Sequence, residues 1–407
     1  METIQRVGKQ QQQQQHKQQQ QSQKYVVRFP RELEQQVEEF VSSVKRRTDP
    51  SSNKIATKTL SLLGLAVTVC RWQNVSQLID VVKQVGQKLI DADRREIIIG
   101  NMVRRVLHNI RELAEEHGVG LGLSRVGSVT SSAAPSQAPS RAASPRLGGV
   151  AAPNAGSSKK PHKHHTPSIQ QQQSSVTIDL RPVVIDDIKE VIDEIQGIHE
   201  SIANSALDQV HSSEIIMTLG HSKTVSQFLL TSAKKRNIQV VIAETAPTYT
   251  GRLLAKELAA GGISTTLIPD SAVFTMMSRV NKVILGTHAV LADGSLIAEA
   301  GSHIMANAAK YFSIPVIVLS GIYKISPQFP FNKDAFNVFA SPDAVLPFTR
   351  GDIVESADVV NPVYDYVAPT LVNLFITDQG SYPPTYLYRL LLENYHQLDM
   401  NFGITED

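Results

Sequence analysis

Apolar residues recur at spacings of three and four through the first part of the chain. From Arg28 to about His117 the pattern is helical: Leu33, Val37 and Phe40, then Val41 and Val44, fall on one face. Pro30 suits a helix start, and Glu32, Glu34, Glu38 and Glu39 load the N-terminal half, where the helix dipole favours negative charge. A second apolar run covers Ile55 to Val69. A third spans Val75 to Ile90, with Leu78, Ile79, Val82, Val85 and Leu89 on one stripe. A fourth carries Ile97, Ile98, Met102, Val106, Ile110 and Leu113. Four helices of ordinary length predict a small helical domain. Much later, from Pro182 to Val210, the spacing predicts one long amphipathic helix. Val184, Ile188, Val191, Ile192, Ile195, Ile198, Ile202, Ala206 and Leu207 form its apolar face. That face is expected to pack back on the first four helices.

After His211 the period changes. Short, wholly apolar runs alternate with helical ones: strands over Glu214–Leu219, Gln239–Ala243, Ser264–Ile268, Lys282–Gly286 and Pro315–Leu319, and helices over Val225–Lys235, Gly251–Ala260, Ser271–Met277 and Ser302–Phe312. A Gly-containing loop is expected between Gly286 and Ser302. The tail adds a strand at Leu374–Ile376 and a helix over Pro384–His396. Strands that are apolar on both faces need a helix layer on each side, so the predicted sheet is parallel. The fold class is α/β, with an N-terminal helical domain followed by a Rossmann-like doubly wound parallel sheet domain. The expected divisions are a disordered Gln-rich tail (1–24), a helical domain (25–117), a flexible linker (118–178), a long helix completing the helical domain (179–210) and the Rossmann-like domain (211–407).

Composition supports the two end members of that plan. Residues 10–23 are nearly all glutamine and offer nothing to bury. The stretch between Gly118 and Ile178 is rich in Ser, Ala, Pro and Gly and is basic, as a flexible linker would be. Within it, the Lys159–His165 segment reads as a solvated basic tract, and Ser144-Pro145 as a plausible phosphorylation site. The net charge of +2 over 407 residues gives no overall attraction to nucleic acid or membrane. A single cysteine, Cys70, excludes an internal disulfide framework and a cysteine-rich zinc site, and no metal is expected. Neither a signal-peptide core nor a run near the roughly 20 apolar residues needed to span a bilayer is present. A cytosolic chain is the expectation.

In a doubly wound sheet, ligands sit at the carboxyl ends of the strands. The first such end reads Gly220-His221-Ser222-Lys223-Thr224. Backbone N–H groups at that helix start can hold a phosphate, with Lys223 assisting; a plain helix cap by a hydroxyl is the alternative. The GxxxxGK[ST] spacing of a P-loop and the GxGxxG dinucleotide fingerprint are both absent. Glu244 follows the second strand, and His288 and Asp293 follow the fourth. His288 and Glu244 can be imagined as an acid/base pair, although a lone histidine at a strand end is more often a structural group. On residue chemistry alone this is a Rossmann-like domain with a small anionic ligand site as its one candidate chemistry.

The segments Asn204–Leu207, Glu214–Gly220, Val241–Pro247, Met277–Gly286 and Leu291–Gly294 carry a resemblance. They are similar to the family that unites the alpha, beta and delta subunits of initiation factor 2B with the methylthioribose-1-phosphate and ribose-1,5-bisphosphate isomerases. Within that family, Lys324–Pro330, Val363–Val367 and Pro384–Leu390 look most like the beta class. The departures from the isomerase pattern decide what the resemblance implies. Where the isomerases carry a catalytic cysteine after the first strand, this chain has Leu219-Gly220-His221. Their catalytic aspartate turn is matched by Gly286-Thr287-His288. Their phosphate-binding arginine is Ala246, and their Asn-Lys pair is Ala298-Glu299. Isomerisation needs a paired acid and base at a fixed carbon, and an exchange of Lys for Glu reverses the charge that meets a phosphate.

The resemblance therefore implies a non-catalytic regulatory subunit of the guanine-nucleotide exchange factor for translation initiation factor 2, without a cofactor. A sugar-phosphate isomerase, and a sensor that binds a phosphometabolite without converting it, are the alternatives. The vestigial pocket implied is Gly220, His221, Ser222, Glu244, Ala246, Gly251, His288, Asp293, Ala298 and Glu299. The implied partners are the delta, alpha, gamma and epsilon subunits and the alpha subunit of initiation factor 2, whose phosphorylation inhibits exchange. No direct contact with nucleic acid or membrane is implied. Candidate interface residues are Pro327, Phe329 and Phe331, with Asn361, Pro362, Tyr364, Asp365 and Tyr366. Closing the sheet's own core is the competing role for those residues.

Overall fold

The first helix, α1 (Arg31–Lys45), opens a computed structural model that describes residues 29–47, 51–117 and 180–404. The Gln-rich tail and the basic linker lie outside the described residues. Helices α2 (Ser52–Val69), α3 (Val75–Ile90) and α4 (Ile97–Glu116) follow the apolar runs within three residues at each end. Asn74 starts α3 by accepting a hydrogen bond from the Gln77 N–H at 2.9 Å, as a capping residue should. The long helix α5 (Leu180–Asn204) stops at Ser205, and a separate turn, Ala206–Gln209, completes the predicted span. Its buried face, Val184, Ile188, Val191, Ile195, Ile198 and Ile202, packs on α2 and on the first helix of the sheet region.

Strands β1 (Ile215–Leu219), β2 (Gln239–Ala243), β3 (Ser264–Ile268), β4 (Lys282–Gly286), β7 (Val316–Leu319) and β9 (Leu374–Thr377) pair in parallel. A short antiparallel edge strand, β10 (Gly380–Tyr382), finishes the seven-stranded sheet in the order β10-β9-β7-β4-β1-β2-β3. Helices α6 (Lys223–Ala233), α7 (Thr250–Ala260), α8 (Val273–Met277), α9 (Ser302–Tyr311) and α10 (Leu387–Asn394) connect or cover it. Successive strand residues point to opposite faces. Ile216, Val240, Ile242, Ile284 and Ile317 join one core with α1–α7, while Met217, Val241, Val283, Leu285 and Val318 join another with α8–α10. The first core is continuous from the N-terminal helices into the sheet.

The expected loop after β4 is a correction. It forms β5 (Ala289–Val290) and β6 (Leu296–Glu299), which pair antiparallel and take β8 (Tyr364–Val367) as a third strand. Two- to four-residue strands carry too little pattern to show in sequence, and this sheet exists because β8 returns to it from more than sixty residues away.

Candidate functional site

The strand ends that meet between β1, β2 and β4 are built around tight backbone. Gly220 adopts a left-handed φ of +67° after β1, and its N–H donates to Thr245 Oγ1 at 2.8 Å. Thr245 is itself at φ +62°; its N–H and that of Ala246 donate to the two carboxylate oxygens of Asp270, at 2.9 and 2.7 Å. Gly251, in the first turn of α7, lies so close to the end of β2 that a Cβ there would stand 2.0 Å from the Ala243 carbonyl oxygen. A Cβ on Gly286 would stand 2.9 Å from the side chain of Ser222, which caps α6.

Into this frame projects Glu299 from the end of β6. Its Oε1 accepts from Thr250 Oγ1 at 2.7 Å. Its Oε2 occupies the space above Gly220, where a Cβ would meet it at 1.9 Å. Burial raises the Glu299 carboxyl above the usual range, offset in part by the Thr250 hydrogen bond and His221 and reinforced by Asp270. His221 turns outward and reaches Glu257 at 3.0 Å, and Ser226 donates to the same carboxylate at 2.6 Å. Glu244 is engaged by Arg252 at 2.6 Å, whose guanidinium also lies over the Tyr249 ring at 3.9 Å.

His288 belongs to a second, neighbouring cluster. Its ring stacks on Tyr364 with centroids 4.7 Å apart, and its Nε2 lies 3.3 Å from the buried carboxylate of Glu96 at the start of α4. Nδ1 is within 3.4 Å of both Ser52 Oγ and Tyr364 Oη. Lys324 donates to the Thr287 carbonyl oxygen at 2.7 Å. Burial, with Glu96 adding to it, pushes the Tyr364 hydroxyl up to about 12. Tyr364 pairs across strands with Glu299, which places the two clusters side by side. The imagined His288–Glu244 pair is not formed: each side chain has its own partner on a different element. Asp293 accepts from Ser295 N–H and Oγ at 2.9 and 2.6 Å and shapes the β5–β6 turn. Ala298 is buried in β6.

Of the candidate interface residues, Phe329 and Phe331 lie outside, the latter 88% exposed, and Pro362 is exposed as well. Pro327 and Asn361 are buried, and Asn361 donates to the Ser341 carbonyl oxygen at 2.9 Å. Asp365 accepts from the N–H groups of Gly301 and His303 at 2.8 and 3.0 Å and so holds the start of α9. Tyr366 packs against the small core of Ile97, Ala289, Leu291 and Ile297. Sequence reasoning did not find Glu96, Ser52, Thr250 or Asp270. Asp270 had a readable signal, an acidic residue just past a strand; Glu96, far away in sequence on a helix start, had none.

The arrangement is filled by its own side chains. A phosphate entering above Gly220 would meet Glu299 and Asp270, and among the described residues His221 and His288 are held by Glu257 and Glu96, not by Glu299 or Glu244. Nor do three or more His, Cys, Asp or Glu side chains converge there to hold a metal ion.

The chain is similar to known proteins over most of its length. The model of the initiation factor 2 subunit family matches residues 48–384. A curated relative from Dictyostelium discoideum, translation initiation factor eIF2B subunit beta, is 40% identical over 89% of this chain and 96% of its own. Ribose 1,5-bisphosphate isomerase from Pyrococcus furiosus is 28% identical over 53% of this chain and 67% of its own. The tetrameric eIF2B-beta2-delta2 complex from C. thermophilum contains a chain that superposes with a TM-score of 0.63 at 27% identity, covering 89% of this chain and 95% of that one.

Proposed function

The chain belongs to the initiation factor 2 subunit family, and we propose that within it the chain is a non-catalytic, beta-type regulatory subunit of the exchange factor that acts on translation initiation factor 2. The observation that carries this reading is the Glu299 carboxylate seated over Gly220 and bonded to Thr250. A pocket closed by an internal carboxylate cannot accept a sugar phosphate without burying like charges together, which low dielectric makes costly. What remains useful is the scaffold. The small sheet and the segment after β7 display Phe329, Phe331, Phe339 and Phe348, all exposed, an apolar surface of the kind that interfaces bury.

The partner in this reading is a delta-type subunit, as in the related tetramer, with alpha, gamma and epsilon subunits completing the assembly. The helical region helps to bind the alpha subunit of initiation factor 2 and to register its phosphorylation. None of the helices described is long and apolar enough to cross a membrane, and the assembly works in the cytosol. Co-expression of the full chain with its delta-type partner tests the proposal. A stable complex, and nucleotide exchange by the full assembly that loses its sensitivity to phosphorylated substrate when this chain is omitted, is the expected result. Failure to associate, or turnover of ribose 1,5-bisphosphate by the purified chain, would overturn it.

A further inference from the structure

We propose that the outer seam between α6 and α7 is a docking groove for an acidic, extended segment of a protein partner. The surface is separate from the space that Glu299 fills, and the proposal does not rest on the subunit reading.

Two grooves of about 490 and 320 Å³ meet there at Ala233 and Lys234. The first runs the length of α6. Lys223, Gln227, Thr231 and Lys234 recur at spacings of four and three, so they form one stripe along its outer face. Gly261, just after α7, makes the opposite wall. A Cβ there would stand 2.2 Å from Leu230 Cδ2, so a bare backbone is what lets the two sides approach this closely. The second groove continues from Lys234 past Lys235 and Arg236 to Gly262 and Ile263, just ahead of β3. A helix of 11 residues is about 16 Å long, room for about five residues of extended chain.

The charge on this surface is one-sided. Lys223, Lys234 and Lys235 are exposed, and Arg236 is half-buried. Among the described residues none of the four pairs with a carboxylate, and the buried Nε of Arg236 has no hydrogen-bond partner. The one carboxylate lining the grooves, Glu257, is already engaged by His221 at 3.0 Å and by Ser226 at 2.6 Å. Helix electrostatics accounts for only part of this pattern. Lys234 and Lys235 stand at the negative end of the α6 dipole, but Lys223 stands at its positive end, where a cation is disfavoured. So much uncompensated charge, on a chain whose net charge is only +2, is complementary to carboxylates brought by another molecule. The lining favours a peptide over a nucleic acid. None of the lining residues is aromatic, so a base has no ring to stack on, whereas the half-buried Leu230 offers an apolar contact.

The test is fluorescence anisotropy of the full chain with a labelled peptide of alternating glutamate and alanine, about ten residues long so that it spans the groove. The same peptide with glutamine for glutamate, and a single-stranded RNA of equal length, are the comparisons. Saturable binding of the acidic peptide, weakening as salt is added, is expected. A double variant, Lys234→Gln with Lys235→Gln, should bind it about tenfold more weakly, through the loss of charge-assisted contacts. Both lysines are exposed, so this variant should fold as the parent does. Lys310→Gln, on α9 in the opposite helix layer, should bind as the parent does. Absence of saturable binding, equal binding of the glutamine peptide, RNA bound as tightly or more so, undiminished affinity in the double variant, or an equal loss in Lys310→Gln each overturns the proposal.

Discussion

Arg111 and Asp399 stand 288 residues apart in sequence and form a two-point ion pair in the protein interior, with Nε to Oδ2 at 2.7 Å and Nη2 to Oδ1 at 3.2 Å. Lys83 adds a third contact at 2.7 Å. Nearby, the fully buried Arg104 donates to the Phe402 carbonyl oxygen at 2.8 Å. Side chains of α3 and α4 thus hold the C-terminal segment against the helical region.

Removing the acid from that pair strands two cations. Asp399→Ala should cost about 3–5 kcal/mol of stability, the range for breaking a buried pair from one side. Urea denaturation of the purified chain measures it. A loss under about 1 kcal/mol would show that the pair is solvated in practice. Burial alone would raise the Asp399 carboxyl, but hydrogen bonds and charge from Arg111 and Lys83 outweigh it and hold the group below 3.8. A carboxyl depressed in the folded state stabilises above its unfolded value. That contribution should vanish as pH falls below 3.8 toward the folded value, and Asp399→Asn should remove this part of the acid sensitivity.

Gly220 and Glu299 should be coupled. A methyl group at Gly220 enters the space of Glu299 Oε2 and also sits at a φ that side chains rarely adopt. Gly220→Ala is therefore expected to lose about 1–3 kcal/mol. Combining it with Glu299→Ala should return the steric part and leave the backbone part. Thermal unfolding of the four proteins in the cycle gives the coupling; strict additivity would mean that Glu299 swings aside at no cost.

Glu299 also predicts a pH dependence of opposite sign to Asp399. Its carboxyl is raised in the folded state, so its contribution is fully present below 4.5 and is lost as pH rises through the folded value. Glu299→Gln keeps a hydrogen-bonding group for Thr250 but no charge. It should be more stable than the parent at neutral pH, with the gap closing on acidification. Melting temperatures measured from pH 4 upward check this, and a gap that widens in acid would contradict it.

Two phenylalanines separate surface from core. Phe375 is fully buried in β9, and Phe375→Ala should cost about 3–5 kcal/mol by leaving a cavity. Phe331 is 88% exposed, so Phe331→Asp should leave the melting temperature of the isolated chain unchanged while weakening its capture of the delta-type partner. Size-exclusion chromatography of the mixed subunits reads the second effect. Unchanged capture would place the interface elsewhere.

Local patterning by itself determined the helices and the parallel strands. Val75–Ile90, Gln239–Ala243, Ser264–Ile268 and Lys282–Gly286 begin and end where the apolar patterning says, although Ser264–Ile268, at the edge of the sheet, buries only Ile268. The residues at Gly220, Ala246, His288 and Glu299 were equally legible as residues, and only the resemblance to the isomerase pattern implied that they depart from it. Tertiary structure alone decided which groups meet. That Glu299 settles over Gly220, that His288 turns to Glu96 and Tyr364 instead of Glu244, and that β8 returns to pair with β6 all depend on how distant segments pack together. Contacts of that kind leave no period in the chain, because they are fixed by the shared core and not by the spacing of neighbours.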